Sequence, residues 1–194
     1  QGALIGAMAG DALGSLVEFQ WDAQIRDRYP DGVREMADGG TFNKIAGQVT
    51  DDSEMAIALA RSILSTGRYQ ASEAAVAYAE WLASNPFDLG NTTRASLSPA
   101  LSALSDGVSP DEVLAIARHN TDRESQANGA LMRITPLAIW GAGADLSDAE
   151  LAELARADAS ITHTHQVCRD ANAVYVLAQR YAIVAPRAPR EVYD

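Results

Sequence analysis

The feature that most constrains the fold of this chain is its supply of alanine, which makes up roughly a fifth of the 194 residues. Alanine loses no side-chain entropy in a helix, whereas runs of β-branched residues, which favour strands, are scarce here. Aromatic residues contribute only 6% of the chain. Together these features predict an all-α fold.

The length and composition indicate a single domain. A chain of 194 residues is long enough to bury a hydrophobic core, and its 47% apolar and 21% charged residues are typical of an ordinary globular protein. The sequence contains no linker and no low-complexity tract. We therefore expect one compact domain of several helices.

The net charge and the cysteine content limit the classes of binding partner and the cellular compartments that suit this chain. A net charge of −11 argues against a nucleic-acid partner and suits cations, metals or an arginine-bearing substrate, although solubility alone also explains it. Cys168 is the only cysteine, which excludes an internal disulfide and suits a reducing compartment. No basic leader begins the chain, and no apolar stretch is long enough to span a membrane. We expect a cytoplasmic protein with no membrane partner.

Glycine recurs at every fourth position of the first segment, at Gly2, Gly6, Gly10 and Gly14. In a helix these residues form one slowly drifting stripe, and each costs about 1 kcal/mol relative to alanine. Such a stripe indicates a helix that another backbone or a ligand approaches closely. We predict that this helix, over 2–19, is buried within the protein.

Helical spacing and start signals place the remaining elements. Thr50 is a suitable N-cap, and Met55, Leu59 and Ile63 follow it at helical spacing. Further helices are predicted over 72–83, 92–105, 110–119, 130–140, 148–161 and 165–185, with loops over 29–47, 84–91 and 120–129.

The strongest local cluster is Thr50-Asp51-Asp52-Ser53. One interpretation is an N-cap followed by an acidic first turn, which the helix dipole stabilises by roughly 0.3–1 kcal/mol. The other is a site for Mg²⁺ or Mn²⁺, because these ions prefer hydroxyl and carboxylate oxygens. Neighbouring side chains on a helix diverge by about 100°, so Asp51 and Asp52 suit two adjacent ions better than one.

Asp11 and Glu18 are seven residues apart and share a face if the first helix is continuous. Two acids on an otherwise apolar helix are costly to bury without partners. A cation site would explain both of them, and a helix end that reaches solvent would explain Glu18 equally well.

Two glycine-containing loops precede predicted helices. The first, over 85–92, contains Asp88, Gly90 and Asn91, and the second, over 125–130, contains Asn128 and Gly129. Such loops offer backbone N–H groups to a phosphate and polar side chains to a sugar. A plain helix–helix connection is the alternative for both loops.

His163, His165 and Cys168 lie close together in the sequence but lack the spacing and the fourth ligand of a zinc site. A lone cysteine in an apolar helix usually packs as a small hydrophobe. We interpret His163 as a hydrogen-bond donor that lines a pocket, or as a helix cap.

The order of these motifs resembles the ADP-ribosylglycohydrolase family. The matching segments are GALIGAMAGDALGSLVEF, GQVTDDSEMAIALARSIL, DLGNTTRASL, NGALMRITPLAI and ITHTHQVCRDANAVYVLA, which span residues 1 to about 185. The resemblance implies an all-α domain with two Mg²⁺ or Mn²⁺ ions in a cleft. It also implies hydrolysis of the glycosidic bond that joins ADP-ribose to a protein side chain, arginine by default, or to a small molecule.

The resemblance assigns roles residue by residue. It implies that Thr50, Asp51 and Asp52 are metal ligands, and that Glu18 and Asp88 are the catalytic carboxylates beside the ribose. The positions that match its substrate-binding segments are Gly90, Asn91, Asn128, Gly129, Met132 and His163.

The family closes its metal site with an Asp-x-Asp-Thr segment in its last third, and that motif is absent from residues 1–194. We therefore expect the C-terminal part of this domain to be missing from the sequence, with the metal site short of protein ligands. The alternative function is an inactive ADP-ribose-binding, immunity or structural protein of the same fold.

Overall fold

The computed structural model describes residues 1–185 and 189–193. Within those ranges the chain forms helices and no β-strand, and the only extended pairing is an isolated bridge between Gly39 and Lys44. The helices are α1 (Gly2–Gly14), α2 (Asp22–Arg28), α3 (Asp51–Thr66), α4 (Ala71–Ala83), α5 (Asn91–Ser105), α6 (Pro110–His119), α7 (Thr135–Gly143), α8 (Asp148–Thr162), α9 (Gln166–Val184) and α10 (Pro189–Tyr193). The predicted all-α fold is confirmed.

Two helix starts show how local sequence fixes the elements. At α6, the Ser109 hydroxyl accepts a hydrogen bond from the backbone N–H of Glu112, whose carboxylate accepts one from the backbone N–H of Ser109. Ser147 and Glu150 make the same reciprocal pair at α8. Such capping boxes satisfy backbone groups that a helix start leaves without partners. Both helices accordingly begin at the predicted residue.

Helix α7 begins five residues later than predicted. Residues 129–133 form turns, and the helix starts at Thr135, which puts Pro136 in its first turn. Proline lacks a backbone N–H and clashes with the preceding turn, so it is tolerated at a helix start and not in the interior. A helix from residue 130 would have placed Pro136 in its interior. Helices α2 and α10 were not predicted.

The hydrophobic core lies among α3 to α9. Helices α8 and α9 form the most extensive pair, and α4 packs against α3, α5 and α6. The large core side chains that are fully buried are Met55, Leu59, Tyr78, Leu97, Val113, Ile134, Leu137, Leu151 and Ile161. This packing holds the start of α3 and the loops before α5 and α7 at fixed positions.

A charged cluster is buried in this core. The guanidinium of Arg133 donates from Nε to Asp158 Oδ1 at 3.2 Å, and both side chains are 0% exposed. The same guanidinium lies 4.1 Å from the ring centroid of Tyr78. The hydroxyls of Tyr69 and Tyr78 donate to the Asp158 carboxylate at 3.0–3.3 Å. Asp158 is thus satisfied by three partners, as a buried charge requires.

The predicted burial of the glycine stripe on α1 is wrong for the part of the chain that the structure describes. Gly2, Gly6, Gly10 and Gly14 are all exposed, and a Cβ atom added to any of them meets no described atom within 4 Å. The reason is that α1 contacts α3 and α7 through its opposite side, which buries Ala12. No helix within residues 1–185 and 189–193 is both long and apolar enough to cross a lipid bilayer.

Candidate active site

Four segments bring acidic side chains together at the start of α3. Asp11 comes from α1, Glu18 from the turn after α1, Asp51 and Asp52 from the first turn of α3, and Asp88 from the loop before α5. Burial, followed by the charges of Asp88 and Asp52, raises the pKa values of both Glu18 and Asp51. We refer to Glu18, Asp51, Asp52 and Asp88 as the acid cluster.

Asp11 holds α1 to the start of α3. Its carboxylate accepts hydrogen bonds from the backbone N–H of Thr50 at 2.9 Å and from the Thr50 hydroxyl at 2.8 Å. It also accepts from the Ser53 hydroxyl at 2.6 Å and the Ser53 N–H at 3.3 Å. Thr50 occupies the N-cap position, but its side chain makes no capping bond, so Asp11 supplies the cap from another helix.

Asp51 and Asp52 project from α3 in different directions. Asp51 is 7% exposed, and burial followed by the charges of Asp88 and Asp52 raises its pKa to about 7. Asp52 lines a cavity of about 400 Å³ beside α1, and burial followed by the Asp11 charge raises its pKa. The Thr50 hydroxyl lies 3.3 Å from Asp52 Oδ2. Of these two aspartates, Asp52 lines this cavity, and Asp51 is not among its lining residues.

Glu18 joins the cluster without the helical register that the sequence suggested. Helix α1 ends at Gly14, and the following turns carry Glu18 back toward α3. Burial, followed by the charge of Asp88, raises the pKa of Glu18, and burial is the largest cause of the raised pKa of Asp88. Phenylalanine rings in edge-to-face contact join the segments that carry these two acids, because the ring of Phe42 contacts the rings of both Phe19 and Phe87.

Lys44 is a functional candidate that the sequence analysis missed. Its side chain is 4% exposed, and its ammonium group donates to the Ser15 hydroxyl and to the backbone oxygen of Gln48. The charge of Lys44 acts to lower the pKa values of Glu18 and Asp88, against the larger effects that raise them. One signal was available, since Lys44 is the only lysine among 194 residues.

Gly40 and Thr41 fix the loop that carries Lys44 against the turn after α1. Gly40 has φ +73°, and a Cβ there would lie 2.7 Å from the backbone oxygen of Ser15. The Thr41 hydroxyl donates to the backbone oxygen of Glu18 at 2.5 Å. Only glycine combines this backbone conformation with so close an approach. The loop thereby holds the backbone of Glu18 in place through Thr41.

A second group of predicted site residues lies around the turn before α7. Gly129 is buried and His163 is 1% exposed, whereas Asn128 is exposed. Burial, with a further contribution from the charge of Arg133, lowers the pKa of His163 to about 4. A Cβ on Gly129 would lie 2.9 Å from His163 Cε1 and 3.0 Å from the Thr93 hydroxyl. The turn therefore packs directly on the imidazole.

The start of α5 connects the two groups. Gly90 and Asn91 follow Asp88 and are both exposed, and the neighbouring Thr92 hydroxyl lies 2.8 Å from the Ser125 hydroxyl in the loop before the Gly129 turn. Met132 lines the same cavity as Asp52. The structure thus arranges the predicted residues in adjoining segments, with the acids at one end and His163 at the other.

The histidine and cysteine pattern serves structural contacts. His165 Nδ1 accepts a hydrogen bond from the backbone N–H of Val167 at the start of α9. The Cys168 thiol lies 3.6 Å from the Ser125 backbone oxygen and 3.5 Å from that of Ala127. His165 thus caps the start of α9, and Cys168 contacts the loop before Gly129.

The donor set at α3 suits a hard divalent cation in part. Thr50, Asp51 and Asp52 offer a hydroxyl and two carboxylates, and a bound cation would offset the burial and the neighbouring negative charge that raise the pKa values of the two aspartates. Within residues 1–185 and 189–193, no three acidic, histidine or cysteine side chains are arranged to hold one ion. The described residues therefore fit part of a coordination shell.

Gly129→Ala is expected to lower the free energy of unfolding by about 1–3 kcal/mol, because the new methyl group forces the His163 ring or the turn to move. Gly6→Ala is the matched control, since its Cβ meets no described atom and alanine is the better helix former. Urea denaturation measures both. Equal effects of the two substitutions would contradict the packing of Gly129 on His163.

The low pKa of His163 predicts a pH-dependent stability. Because the unfolded imidazole titrates near 6.5 and the folded one near 4, the unfolded chain binds more protons between these values, and stability falls as the pH falls. The wild-type protein is expected to lose about 2 kcal/mol from this residue between pH 7 and pH 5. His163→Gln removes that loss. The acid cluster has the opposite effect, because its raised pKa values make stability rise as the pH falls, but it is present in both proteins and does not affect their difference. Parallel stability–pH curves for the two proteins would refute the prediction.

Comparison with known proteins gives a consistent result. The family model described as ADP-ribosylglycohydrolase matches residues 1–194. The ADP-ribosyl-[dinitrogen reductase] glycohydrolase of Rhodospirillum rubrum is 36% identical over 167 residues, which cover 84% of this chain and 51% of that protein. The ADP-ribosylarginine hydrolase Tri1 of Pseudomonas putida (strain GB-1) is 33% identical over 147 residues, covering 72% of this chain and 35% of Tri1.

A solved structure agrees with these sequence matches. It is described as an ADP-ribosylglycohydrolase-related protein complex and has a TM-score of 0.74 and 29% sequence identity to this chain. The match covers 98% of this chain and 57% of the solved one. The present chain thus spans about half the length of the Rhodospirillum rubrum glycohydrolase and of the solved chain.

Proposed function

Because this chain belongs to the ADP-ribosylglycohydrolase family, we propose that it contributes to hydrolysis of the glycosidic bond between ADP-ribose and a modified protein side chain. Arginine is the favoured side chain, since one relative is named an ADP-ribosylarginine hydrolase. We treat residues 1–194 as one domain of this type. The single buried, free Cys168 supports a cytoplasmic location.

The observation that carries the proposal is the convergence of the acid cluster from three separate segments. Glycosidic bond cleavage builds positive charge at the anomeric carbon, and carboxylates placed beside it stabilise that charge. Folding Glu18, Asp51, Asp52 and Asp88 into one place costs stability, because burial, with a contribution from nearby carboxylate charges, raises the pKa of each of them. A protein that retains such an arrangement gains function from it.

We propose that Thr50, Asp51 and Asp52 hold the protein's share of a site for two Mg²⁺ or Mn²⁺ ions. When bound, the ions would hold and orient the ribose hydroxyls. The Asp51 and Asp52 carboxylates suit two adjacent positions because neighbouring side chains on a helix diverge by about 100°. Asp11 fixes the helix start on which all three ligands depend.

Glu18 and Asp88 are the proposed catalytic carboxylates. Each is half-buried, and burial raises the pKa of each, which makes it a better proton acceptor near neutral pH. One of them takes a proton from the water that attacks the anomeric carbon, while the other faces the developing positive charge. The glycosidic bond to the side chain breaks, and the proton passes to the departing side-chain atom. Lys44 and the loop around Gly40 keep Glu18 in place.

The residues around the second group are proposed to bind the ADP-ribose moiety. Backbone N–H groups at the start of α5 and in the turn before α7 are suited to phosphate oxygens. The proposed binding positions are Gly90, Asn91, Asn128, Gly129, Met132 and His163. Their connection to Asp88 through the start of α5 aligns the bound nucleotide with the acid cluster.

A second candidate function is ADP-ribose binding without hydrolysis. It is favoured by one observation, that residues 1–185 and 189–193 contain no group of three side chains arranged to hold a metal ion. Such a protein would use the second group of residues and leave the bond intact.

Calorimetry with ADP-ribose, with and without Mg²⁺, combined with a release assay on ADP-ribosylated arginine, separates these functions. Hydrolysis predicts Mg²⁺-dependent release of ADP-ribose. Binding without release supports the second candidate. If the purified protein neither binds ADP-ribose nor releases it from ADP-ribosylated arginine, both functions are refuted.

A further inference from the structure

His163 stands at the end of a buried hydrogen-bond chain. Asp158 accepts from Arg133 Nε at 3.2 Å, and Arg133 Nη1 donates to the Thr162 hydroxyl oxygen at 2.9 Å. That oxygen lies 2.8 Å from His163 Nδ1. The side chains of Arg133, Asp158, Thr162 and His163 are all at least nine-tenths buried. Solvent therefore does not compete for these bonds.

The direction of each bond in the chain follows from the chemistry of its members. Arginine has only donors, so the Thr162 oxygen accepts from Arg133. His163 Nδ1 is the other partner of the Thr162 hydroxyl within the described residues, and a bond in which the hydroxyl donates and Nδ1 accepts gives the Thr162 hydrogen an acceptor. A neutral imidazole carries one proton, and with Nδ1 as the acceptor that proton lies on Nε2. The chain thus selects one of the two tautomers.

We propose that Arg133 and Thr162 are positioning residues that hold His163 as a fixed Nε2–H donor, directed at the Asn128–Gly129 turn for an oxygen of the bound ligand. Nε2 is buried and has no hydrogen-bond partner within the described residues. A Cβ on Gly129 would lie 3.2 Å from it, so the glycine faces this nitrogen. A buried donor without an acceptor is costly, which favours binding of a group that supplies one.

The tautomer also limits what His163 contributes to the proposed reaction. With Nδ1 engaged by Thr162 and Nε2 already protonated, the ring has no nitrogen available to accept a proton. Burial and the nearby Arg133 charge, which lower its pKa to about 4, keep it neutral. Proton transfer is therefore left to Glu18 and Asp88. The identity of the ligand as ADP-ribose rests on the proposed function, whereas the tautomer does not.

Nitrogen-15 NMR of the histidine side chains tests the tautomer in the wild-type protein without any ligand. The expected spectrum shows a protonated Nε2 and an unprotonated Nδ1 for His163, whose signals are assigned by their loss in His163→Gln. Thr162→Val should give a mixture of the two tautomers, and Thr162→Ser should restore the wild-type pattern because serine keeps the hydroxyl. A protonated Nδ1 in the wild-type protein would overturn the proposal without involving any variant.

ADP-ribose titration tests the role of the donor. We expect the Nε2 proton signal to move when ADP-ribose binds. ADP-ribose should bind about tenfold more weakly to Thr162→Val than to the wild-type protein, and it should bind to Thr162→Ser with the wild-type affinity. In the release assay, the same loss should appear in KM rather than kcat. An Nε2 signal that does not respond to bound ADP-ribose overturns the ligand contact. Absence of hydrolysis with an intact Nε2 response contradicts only the proposed hydrolase function.

Discussion

Asp51→Ala and Asp52→Ala are each expected to lower the Mg²⁺-dependent release of ADP-ribose by about 10³-fold or more, since each removes a carboxylate from the proposed ion site. Both should also weaken Mg²⁺ binding in calorimetry. Asp111→Ala is the matched control for Asp52, because Asp111 occupies the second position of α6 and is exposed far from the acid cluster in sequence. It removes the same charge from the same helix position and should leave turnover unchanged.

Measuring the free energy of unfolding distinguishes loss of turnover caused by loss of a metal ligand from loss of turnover caused by unfolding. Burial and the charge of Asp88 raise the pKa of Asp51 to about 7, well above its unfolded value near 3.9. The ionised carboxylate therefore opposes folding above pH 7, and without divalent cations Asp51→Asn should raise the free energy of unfolding at pH 8. Loss of turnover together with a more stable protein is expected for a residue kept for function. Near-normal turnover in both alanine variants would rule out the ion site.

Local chemistry explains how much of the fold the sequence predicted. The starts of α6 and α8 were predicted correctly because Ser109 with Glu112, and Ser147 with Glu150, satisfy the helix start within four residues. The start of α7 was missed, although the restriction that Pro136 places on it is equally local. These elements need no knowledge of the rest of the chain.

The site depends on contacts between distant residues, which local patterns do not reveal. The burial cost of Asp11 suggested a cation partner, yet its partners are Thr50 and Ser53, about forty positions away. Lys44 has no motif of its own, and although it is the only lysine in the sequence, its place beside the site follows from the contact between its ammonium group and the Ser15 hydroxyl. The glycine stripe on α1 suggested close packing, but helical periodicity alone does not say which face meets a neighbour.

Asp158→Asn is expected to lower the free energy of unfolding by about 3–5 kcal/mol, because it leaves the fully buried Arg133 charge without its counterion. The hydroxyls of Tyr69 and Tyr78 also lose a charged acceptor. The matched control is Asp170→Asn, which removes an exposed partner of Arg156 at a similar 2.9 Å separation. That exposed pair is screened by water, so the control should change stability far less.

The pairing itself is tested by removing both charges. Arg133→Met combined with Asp158→Leu eliminates the unpaired charge that either single change leaves, so the double variant should be more stable than Asp158→Asn. It also removes the donor to Thr162, and His163 should then lose its fixed tautomer even though the protein stays folded. Urea denaturation and histidine NMR on the same samples measure the two effects separately. A double variant as unstable as Asp158→Asn would mean that shape complementarity around Tyr78, rather than charge pairing, dominates this part of the core.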